Sequence, residues 1–311
     1  MVASNMPAAE VVISTDLVVG LLHEQHPDLA DQSIRVVAHG WDNAVVRVGD
    51  TLAVRLPRRQ LASELVEHEQ RWLSTLADRL PLPIPAPVRV GTPSAPLGYP
   101  WRWSVIPWFD GHSAIEAPPN DPTAAARTLG AFLAALHVDA PADAPGNPFR
   151  GGPLPNRNEL THDYLHRLRD RFPVPELDAL LRCWDHAMAA APWSESPRWL
   201  HGDLHPGNLV VDNGTLGAVI DFGDITSGDP ATDLGVAWLM FDDAAVRNTF
   251  FEAAGVGTTA AAHQATRRRA QGWALSIGAA MLANSADSPT MARAGALGLE
   301  RVLRSSGDGS P

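Results

Sequence analysis

Short apolar runs separated by turn residues dominate the first part of the chain and predict β-strands. Two of these runs are joined by Gly49 and Asp50, a pair that favours a tight hairpin between them. The predicted strands are residues 34–38, 44–48, 51–56, 87–90 and 99–106. The pattern therefore predicts a sheet of about five strands near the N-terminus.

Apolar residues at helical spacing predict helices before, within and after this sheet. Ser14 or Thr15 caps a first helix that stops before Pro27, and a helix over 61–80 ends at a proline-rich run. Asp121 and Pro122 begin a helix after the sheet, and a loop rich in proline, glycine and asparagine follows it. That loop covers 140–158, and further helices are predicted at 159–171, 176–190, 230–253, 258–284 and 288–304.

The change from strands to helices predicts an α+β fold in two parts. We expect an N-terminal part over 1–106, a larger helical part over 107–304 and a disordered tail over 305–311. The 311 residues are enough to bury substantial cores in both parts.

Composition narrows the possible partners and compartment. The formal net charge of −11 would repel nucleic acid and attract a cationic substrate. Cys183 is the single cysteine, so no intrachain disulfide is possible, and a reducing cytoplasm fits best. No run approaches the roughly 18 to 20 apolar residues that span a bilayer, so we expect neither a membrane protein nor a secreted one.

One segment carries the candidate chemistry. Residues 201–208 read H-G-D-L-H-P-G-N, and D-F-G follows at 221–223. This spacing matches the pattern H-x-D-L-x-x-x-N with a later D-F-G, which is typical of phosphoryl-transfer enzymes.

The residues around this segment predict a hairpin with two metal-binding groups at its mouth. Asn208 precedes an apolar run, a strong turn signal follows at 212–214, and a second run ends at Asp221. An antiparallel hairpin would return Asp221 to Asn208, and their carboxylate and amide oxygens suit Mg²⁺. Asp203, on the loop that leads into this site, is placed to accept or orient the proton of an incoming hydroxyl.

With these motifs the chain resembles the aminoglycoside phosphotransferase and choline kinase-like family over residues 39–238. Gly228-Asp229-Pro230 and Asp233-Leu234 add to the resemblance. It implies a protein-kinase-like fold of two lobes and the transfer of the γ-phosphoryl group of ATP or GTP to a small molecule. It also implies that Asp203 is the catalytic base and that Asn208 and Asp221 bind Mg²⁺.

In the N-terminal part the resemblance points to nucleotide-binding residues. Arg55 stands on the strand whose lysine normally reaches the α- and β-phosphates, and the chain contains no lysine. Glu69 best matches the helix glutamate that orients this basic residue, and Glu64 is the alternative. The loop 39–43 would cover the triphosphate, and an adenine edge would pair with Pro107 C=O and Phe109 N–H.

Missing features indicate the class of acceptor. Gly202 stands where protein kinases carry an arginine, and only four residues separate Gly223 from Gly228, too few for an activation segment. We therefore expect a small-molecule acceptor rather than a protein. Acidic residues in the helical part would suit an aminoglycoside or another aminated compound, although ordinary surface charge explains most of them. They are Asp110, Glu116, Glu159, Asp163, Asp242 and Asp243.

Several readings of the same residues compete. His201 and His205 hold the loop backbone in one reading, and with Asp203 they are ligands of a metal-dependent hydrolase in another. Asp229 is a helix cap, while Asp233 braces the catalytic loop if the resemblance holds. A kinase-like binding module without turnover is a third possible function, motivated by the missing lysine.

Overall fold

The protein is described by a computed structural model that covers residues 8–39, 42–257 and 259–307. Within these ranges, none of the helices combines the length and the apolar character that a bilayer span requires.

The N-terminal lobe is an antiparallel sheet of five strands, as predicted. The strands are β1 Ile34–His39, β2 Asn43–Val48, β3 Leu52–Pro57, β4 Arg89–Gly91 and β5 Trp103–Pro107, in the order β1-β2-β3-β5-β4. Arg55 on the central strand β3 pairs with Val45 on one side and Ser104 on the other. The fifth strand begins later than predicted because residues 94 and 99 pair across a turn before it.

Two helices complete this lobe. Helix α1, Thr15–Gln25, is capped by Ser14, whose hydroxyl accepts a hydrogen bond from Leu17 N. Its buried residues pack into a core with the sheet, and Trp103 and Val105 belong to the same core. Helix α2, Gln60–Ala77, runs from this lobe to the second one, since its residues Leu73 and Leu76 belong to the core of the helical lobe. Glu69 therefore lies near the junction of the two lobes.

The C-terminal lobe contains helices and two small sheets. Its strands are β6 His112–Ser113, β7 Arg198–Leu200, β8 Leu209–Asp212, β9 Thr215–Val219 and β10 Thr226–Gly228. Its helices are α3 Pro122–Leu136, α4 Asn158–Arg167, α5 Val174–Met188, α6 Ala231–Leu234, α7 Val236–Met240, α8 Ala244–Ala253, α9 Ala260–Asn284 and α10 Pro289–Gly307. Asp121 caps α3, as predicted, by accepting hydrogen bonds from Thr123 N and Ala124 N.

Three predicted boundaries in this lobe are wrong. The helix predicted over 230–253 is three helices, because Gly235 separates α6 from α7 and the chain leaves helical geometry at Phe241 before Asp243 caps α8. The helix predicted over 159–171 ends at Arg167 and continues only as a 3₁₀ turn. Ser305 was predicted to begin a disordered tail, but it is helical and accepts a hydrogen bond from Trp238 Nε1. The boundary after residue 106 stays a prediction.

Candidate active site

Residues 201–208, hereafter the catalytic loop, connect β7 to β8 and are held by one buried carboxylate. Asp233 has no exposed surface and accepts hydrogen bonds from His201 N at 2.8 Å and Gly202 N at 2.9 Å. His137 Nε2 lies 3.1 Å from the same carboxylate. Charge-assisted hydrogen bonds are stronger than neutral ones, so Asp233 fixes the start of the loop. The expected bracing contact is present.

Gly202 is the residue that the loop geometry requires at its position. Its φ of +89° lies in the left-handed region, and a Cβ there would come within 2.1 Å of the Asp224 carbonyl oxygen. A residue with a side chain would be strained and would displace the Asp224 segment. The arginine that protein kinases carry at this point therefore has no room in this chain.

The two histidines of the loop are engaged by the backbone. His201 is fully buried, its Nε2 lies 2.9 Å from Ile220 O, and its Nδ1 accepts from Asp203 N at 3.2 Å. His205 Nδ1 accepts from Gly207 N at 3.0 Å, and burial lowers the pKa of His205 against the raising effect of Asp203. Because both His201 ring nitrogens are used, the loop lacks the ligand set that a hydrolase metal centre requires.

Asp203, the predicted base, has a cationic partner that the sequence reading missed. Arg150 Nη2 donates to Asp203 Oδ1 at 2.8 Å, and His205 Nε2 lies 3.7 Å from Oδ2. Burial opposes ionisation of Asp203, but the charge and hydrogen bond of Arg150, together with the nearby histidines His205 and His201, outweigh it and hold the pKa of Asp203 well below its usual range. The carboxylate is therefore ionised and paired in the absence of ligands.

Arg150 is positioned because its loop is fixed to the catalytic segment. Asn147 Nδ2 donates to Asp224 Oδ1 at 2.6 Å, and Asp229 N donates to Gly151 O at 2.8 Å. A Cβ on Gly228 would lie 2.0 Å from that Gly151 oxygen, so the close approach needs glycine. Burial, followed by the charge of Asp203, raises the pKa of Asp224. The sequence offers no signal for this contact, since the loop shows only turn-forming residues.

The predicted hairpin is present and brings Asn208 to Asp221. Strands β8 and β9 pair antiparallel, and Ile220 N donates to Asn208 O at 2.9 Å. Asn213 and Gly214 both have positive φ, which is the geometry of a tight hairpin turn. Asp221 itself is left-handed, with φ 64°, a conformation that costs energy for a non-glycine residue and is often found at functional sites.

The donor set of Asn208 and Asp221 fits a small, hard cation. Asn208 Nδ2 donates to Asp203 O at 2.9 Å, which leaves the amide oxygen for a metal. The Asp221 side chain is 56% exposed in the cleft, so water and phosphate oxygens have access to the same ion. Mg²⁺ takes few protein ligands and completes its shell from water and phosphates, as this arrangement allows.

Arg55 links this hairpin to the N-terminal lobe. Its Nη2 lies 3.0 Å from Asp221 Oδ1 and 3.2 Å from Glu69 Oε1, and its side chain is 7% exposed. Glu69, rather than the exposed Glu64, is therefore the helix carboxylate beside Arg55. Among the described residues, Arg55 Nε is buried without a hydrogen-bond partner. An unpaired buried donor in a cleft is a group that a bound anion would satisfy.

Burial and charge act in opposite directions on the Arg55–Glu69 pair. Burial raises the pKa of Glu69 to about 7, and the attraction of Arg55 offsets only part of this effect. Burial also disfavours the charged form of Arg55, but the charges of Glu69 and Asp221 outweigh it and raise the pKa of Arg55. Arg55 is thus always cationic, whereas Glu69 titrates near neutral pH.

The remaining predicted nucleotide contacts lie on or next to the strands of the N-terminal sheet. Asp42 forms an ion pair with Arg59, while Gly40 and Trp41 of the predicted covering loop lie outside the described residues. Pro107 ends β5 and pairs with Leu52, and Phe109 follows it in a half-buried position.

Asp229 has a larger role than the predicted helix cap. Its Oδ1 accepts from Ala231 N at 3.0 Å, as a cap does. The same carboxylate forms a buried bidentate pair with Arg269, at 2.6 Å to Nε and 3.1 Å to Nη2. It therefore ties the segment after the D-F-G turn to the long helix α9.

Comparisons with known proteins agree with this architecture. A family model described as the phosphotransferase enzyme family matches residues 33–273. The uncharacterized protein YcbJ of Bacillus subtilis (strain 168) is 25% identical over 243 residues, which are 73% of this chain and 76% of that protein.

Solved structures share the fold at lower identity. The GDP complex of aminoglycoside 2′-phosphotransferase-IIIa superposes with a TM-score of 0.68 at 17% identity, covering 94% of this chain and 99% of that one. The GDP and kanamycin complex of APH(2″)-IIIa gives 0.67 at 19% identity, covering 93% and 98%. The macrolide 2′-phosphotransferase MphH from Brachybacterium faecium, as apoenzyme, gives 0.59 at 22% identity, covering 91% and 97%.

Proposed function

The chain belongs to the phosphotransferase enzyme family, and on that basis we propose that it transfers the γ-phosphoryl group of ATP or GTP to a hydroxyl group of a small molecule. The observation that carries the proposal is the contact between lobes at Arg55 and Asp221. It joins the nucleotide-facing strand β3 to the hairpin of the catalytic loop. Phosphoryl transfer depends mainly on such positioning of charges around the phosphates.

Arg55 is the proposed contact to the triphosphate. Its guanidinium is oriented by Glu69, and its buried Nε has no hydrogen-bond partner among the described residues. A planar fork suits bidentate binding of phosphate oxygens, so arginine supplies the charge that lysine normally provides. The GDP complexes of similar structures support a nucleoside triphosphate donor at this cleft.

Asn208 and Asp221 are the proposed ligands of Mg²⁺. When bound there, the ion would neutralise charge on the β- and γ-phosphate oxygens. With the ion bound, the Asp221 carboxylate would give up part of its contact with Arg55. Arg55 is then released to contact the phosphates.

Asp203 is the proposed base for the acceptor hydroxyl. The acceptor oxygen forms a bond to the γ-phosphorus, the bond from that phosphorus to the bridging oxygen breaks, and the nucleoside diphosphate leaves. The hydroxyl proton passes to Asp203. Because Arg150 keeps the pKa of Asp203 low, the carboxylate orients the hydroxyl first and takes its proton only as the new bond forms.

Arg150 and the catalytic loop support the choice of a kinase over a binding module. A module that only binds nucleotide has no need for a carboxylate held ionised by a neighbouring guanidinium. The short connection from Gly223 to Gly228, which forms a 3₁₀ turn and β10, supports a small molecule as the acceptor.

Substitution of Asp203 tests the proposal. Asp203→Asn keeps the size of the side chain but removes the base, so acceptor-dependent release of ADP or GDP should fall about 10² to 10⁴-fold. Nucleotide binding, measured by calorimetry, should change little. The exposed Asp178 on α5 provides a matched control in Asp178→Asn, which should retain full activity. Normal turnover by Asp203→Asn would refute the assignment.

A further inference from the structure

A large cavity lies between the catalytic loop and the helices of the C-terminal lobe. Its volume is about 940 Å³, within the range of small-molecule sites. Pro206 of the catalytic loop lines it, so the cavity begins three residues from Asp203 in the chain. Residues of α7, α8 and α10 form other parts of the wall, including Met240, Val246 and Leu297.

Most residues that line the cavity are apolar. Five of its lining residues are prolines, and proline has no backbone N–H to donate. Ile115, Leu239 and Phe241 add further apolar surface. A ligand that relied on many hydrogen bonds would lose its hydration here without replacement, whereas an apolar ligand would gain from burial.

The most acidic part of the wall is neutralised by arginines. Arg301 Nε lies 2.8 Å and Arg304 Nη2 2.9 Å from Asp242 Oδ1. Behind them, Arg247 Nη1 donates to Asp242 O at 2.8 Å. Burial, and then the nearby charge of Arg301, lowers the pKa of Arg247, which reflects the crowding of cations at this place. Asp242 therefore has little attraction left for a cationic ligand.

The other charged residues of the wall are two carboxylates and one arginine. Asp243 caps α8 by accepting from Ala245 N at 2.7 Å, and Glu116 accepts from Ser113 Oγ at 3.0 Å. Arg293 also lines the cavity and places a further positive charge there. Three carboxylates thus face Arg293 and Arg301 across the wall, with Arg247 and Arg304 directly behind Asp242. Three carboxylates against two lining arginines leave at most one net negative charge, so a polycation gains little attraction from the wall.

We propose that this cavity binds the acceptor, and that the acceptor is a large, mainly apolar hydroxyl compound that carries at most one positive charge. The proposal rests on the proposed kinase function, since the occupant must extend past Pro206 to present a hydroxyl to Asp203. Among the aminated compounds that the sequence suggests as acceptors, the proposal favours those with at most one positive charge. Polycationic aminoglycosides are disfavoured because Asp242 is already paired with arginines.

Binding to the intact protein without nucleotide tests the cavity separately from catalysis. Erythromycin serves as a large apolar probe with one amine, and kanamycin as a polycationic probe with several. Calorimetry should show that erythromycin binds at least about ten-fold more tightly than kanamycin, a difference in binding free energy of about 1.4 kcal/mol. Kanamycin binding equally or more tightly would overturn the proposal, as would the failure of both probes to bind.

A charge reversal in the wall sharpens the test. Arg293→Glu makes the cavity more acidic, so kanamycin should gain about ten-fold in affinity. Erythromycin, with one amine, should gain less. Arg79→Glu, at an exposed position outside the cavity, makes the same change in net charge and should leave both affinities unaltered. Equal gains in kanamycin affinity in the two variants would show that only the net charge of the protein matters, which would contradict the proposal.

Transfer is then measured by the mass increase of the bound probe with ATP or GTP. If erythromycin binds selectively but gains no phosphoryl group with either nucleotide, the cavity assignment stands and its role as acceptor site is contradicted. If kanamycin is phosphorylated and erythromycin is not, the kinase function stands and the acceptor class proposed here is wrong.

Discussion

Arg55 Nη2 lies 3.0 Å from Asp221 Oδ1, although 166 residues separate the two along the chain. The same guanidinium contacts Glu69, so one buried cation joins the central strand of the sheet, helix α2 and the hairpin of the catalytic loop. Breaking such a pair leaves an uncompensated charge in a site of low dielectric. Both the proposed nucleotide site and the proposed metal site therefore depend on Arg55.

Arg55→Ala should weaken nucleotide binding and lower kcat together, by about 1.5 to 3 kcal/mol for the loss of a hydrogen bond to a charged group. Arg55→Lys should rescue only part of this loss, because lysine keeps the charge but lacks the buried Nε donor and the planar fork that the proposed phosphate contact uses. Titration calorimetry with ATP and GTP measures the effect. Arg59→Ala, which removes the partner of Asp42, is the control. If that variant loses nucleotide binding while Arg55→Ala keeps it, the strand assignment is wrong.

Asn208→Ala and Asp221→Ala should each raise the Mg²⁺ concentration that gives half-maximal activity, since the hairpin places both side chains at one ion. A loss of about ten-fold or more in metal affinity is expected for each. Activity as a function of Mg²⁺ at saturating nucleotide measures it. The exposed hairpin residue Asp212 gives the control Asp212→Ala, and wild-type metal dependence in either test variant would contradict the shared site.

Arg150→Gln should raise the pKa of Asp203, because it removes the opposite charge that lowers it. A carboxylate with a lowered pKa loses function only at low pH, so without Arg150 the loss should begin at a higher pH. We expect the acidic limb of the kcat profile to move up by about one pH unit. Arg150→Lys should restore much of the wild-type profile. An unchanged acidic limb in Arg150→Gln would show that Arg150 does not control the ionisation of Asp203.

Glu69→Gln should change how stability depends on pH. Burial raises the pKa of Glu69 to about 7 in the folded protein, above its value in the unfolded chain. A carboxyl with a raised pKa favours the folded state fully below the unfolded pKa, and that contribution is lost as pH rises through the folded pKa. Between pH 4.5 and 7.5 the free energy of unfolding of the wild type should therefore fall by on the order of 3 kcal/mol relative to that of Glu69→Gln. Urea unfolding of both proteins across this range measures the difference, and parallel curves would contradict it.

The sequence by itself determined the elements whose cause is local. Gly49 and Asp50 specify a tight turn, Asn213 and Gly214 a second one, and the caps Ser14 and Asp121 begin their helices as predicted. The order of strands followed by helices predicted the two-lobed α+β fold. The hairpin also brought Asn208 to Asp221, because an antiparallel pair returns its ends to one place.

Only the tertiary structure decided which charges meet. Arg150 lies on a loop whose residues show turn propensity alone, and it reaches Asp203 because Gly151 and Gly228 allow two backbone segments to approach closely. Asp242 is likewise paired with Arg301 and Arg304, about 60 residues away, which its place in the sequence does not indicate. Such contacts depend on packing between distant segments, and Coulomb energies depend on distance and burial. The local pattern of residues determines neither the distance between charges nor their burial. The ionisation of the candidate site and the polarity of the cavity beside Pro206 therefore depend on the tertiary fold.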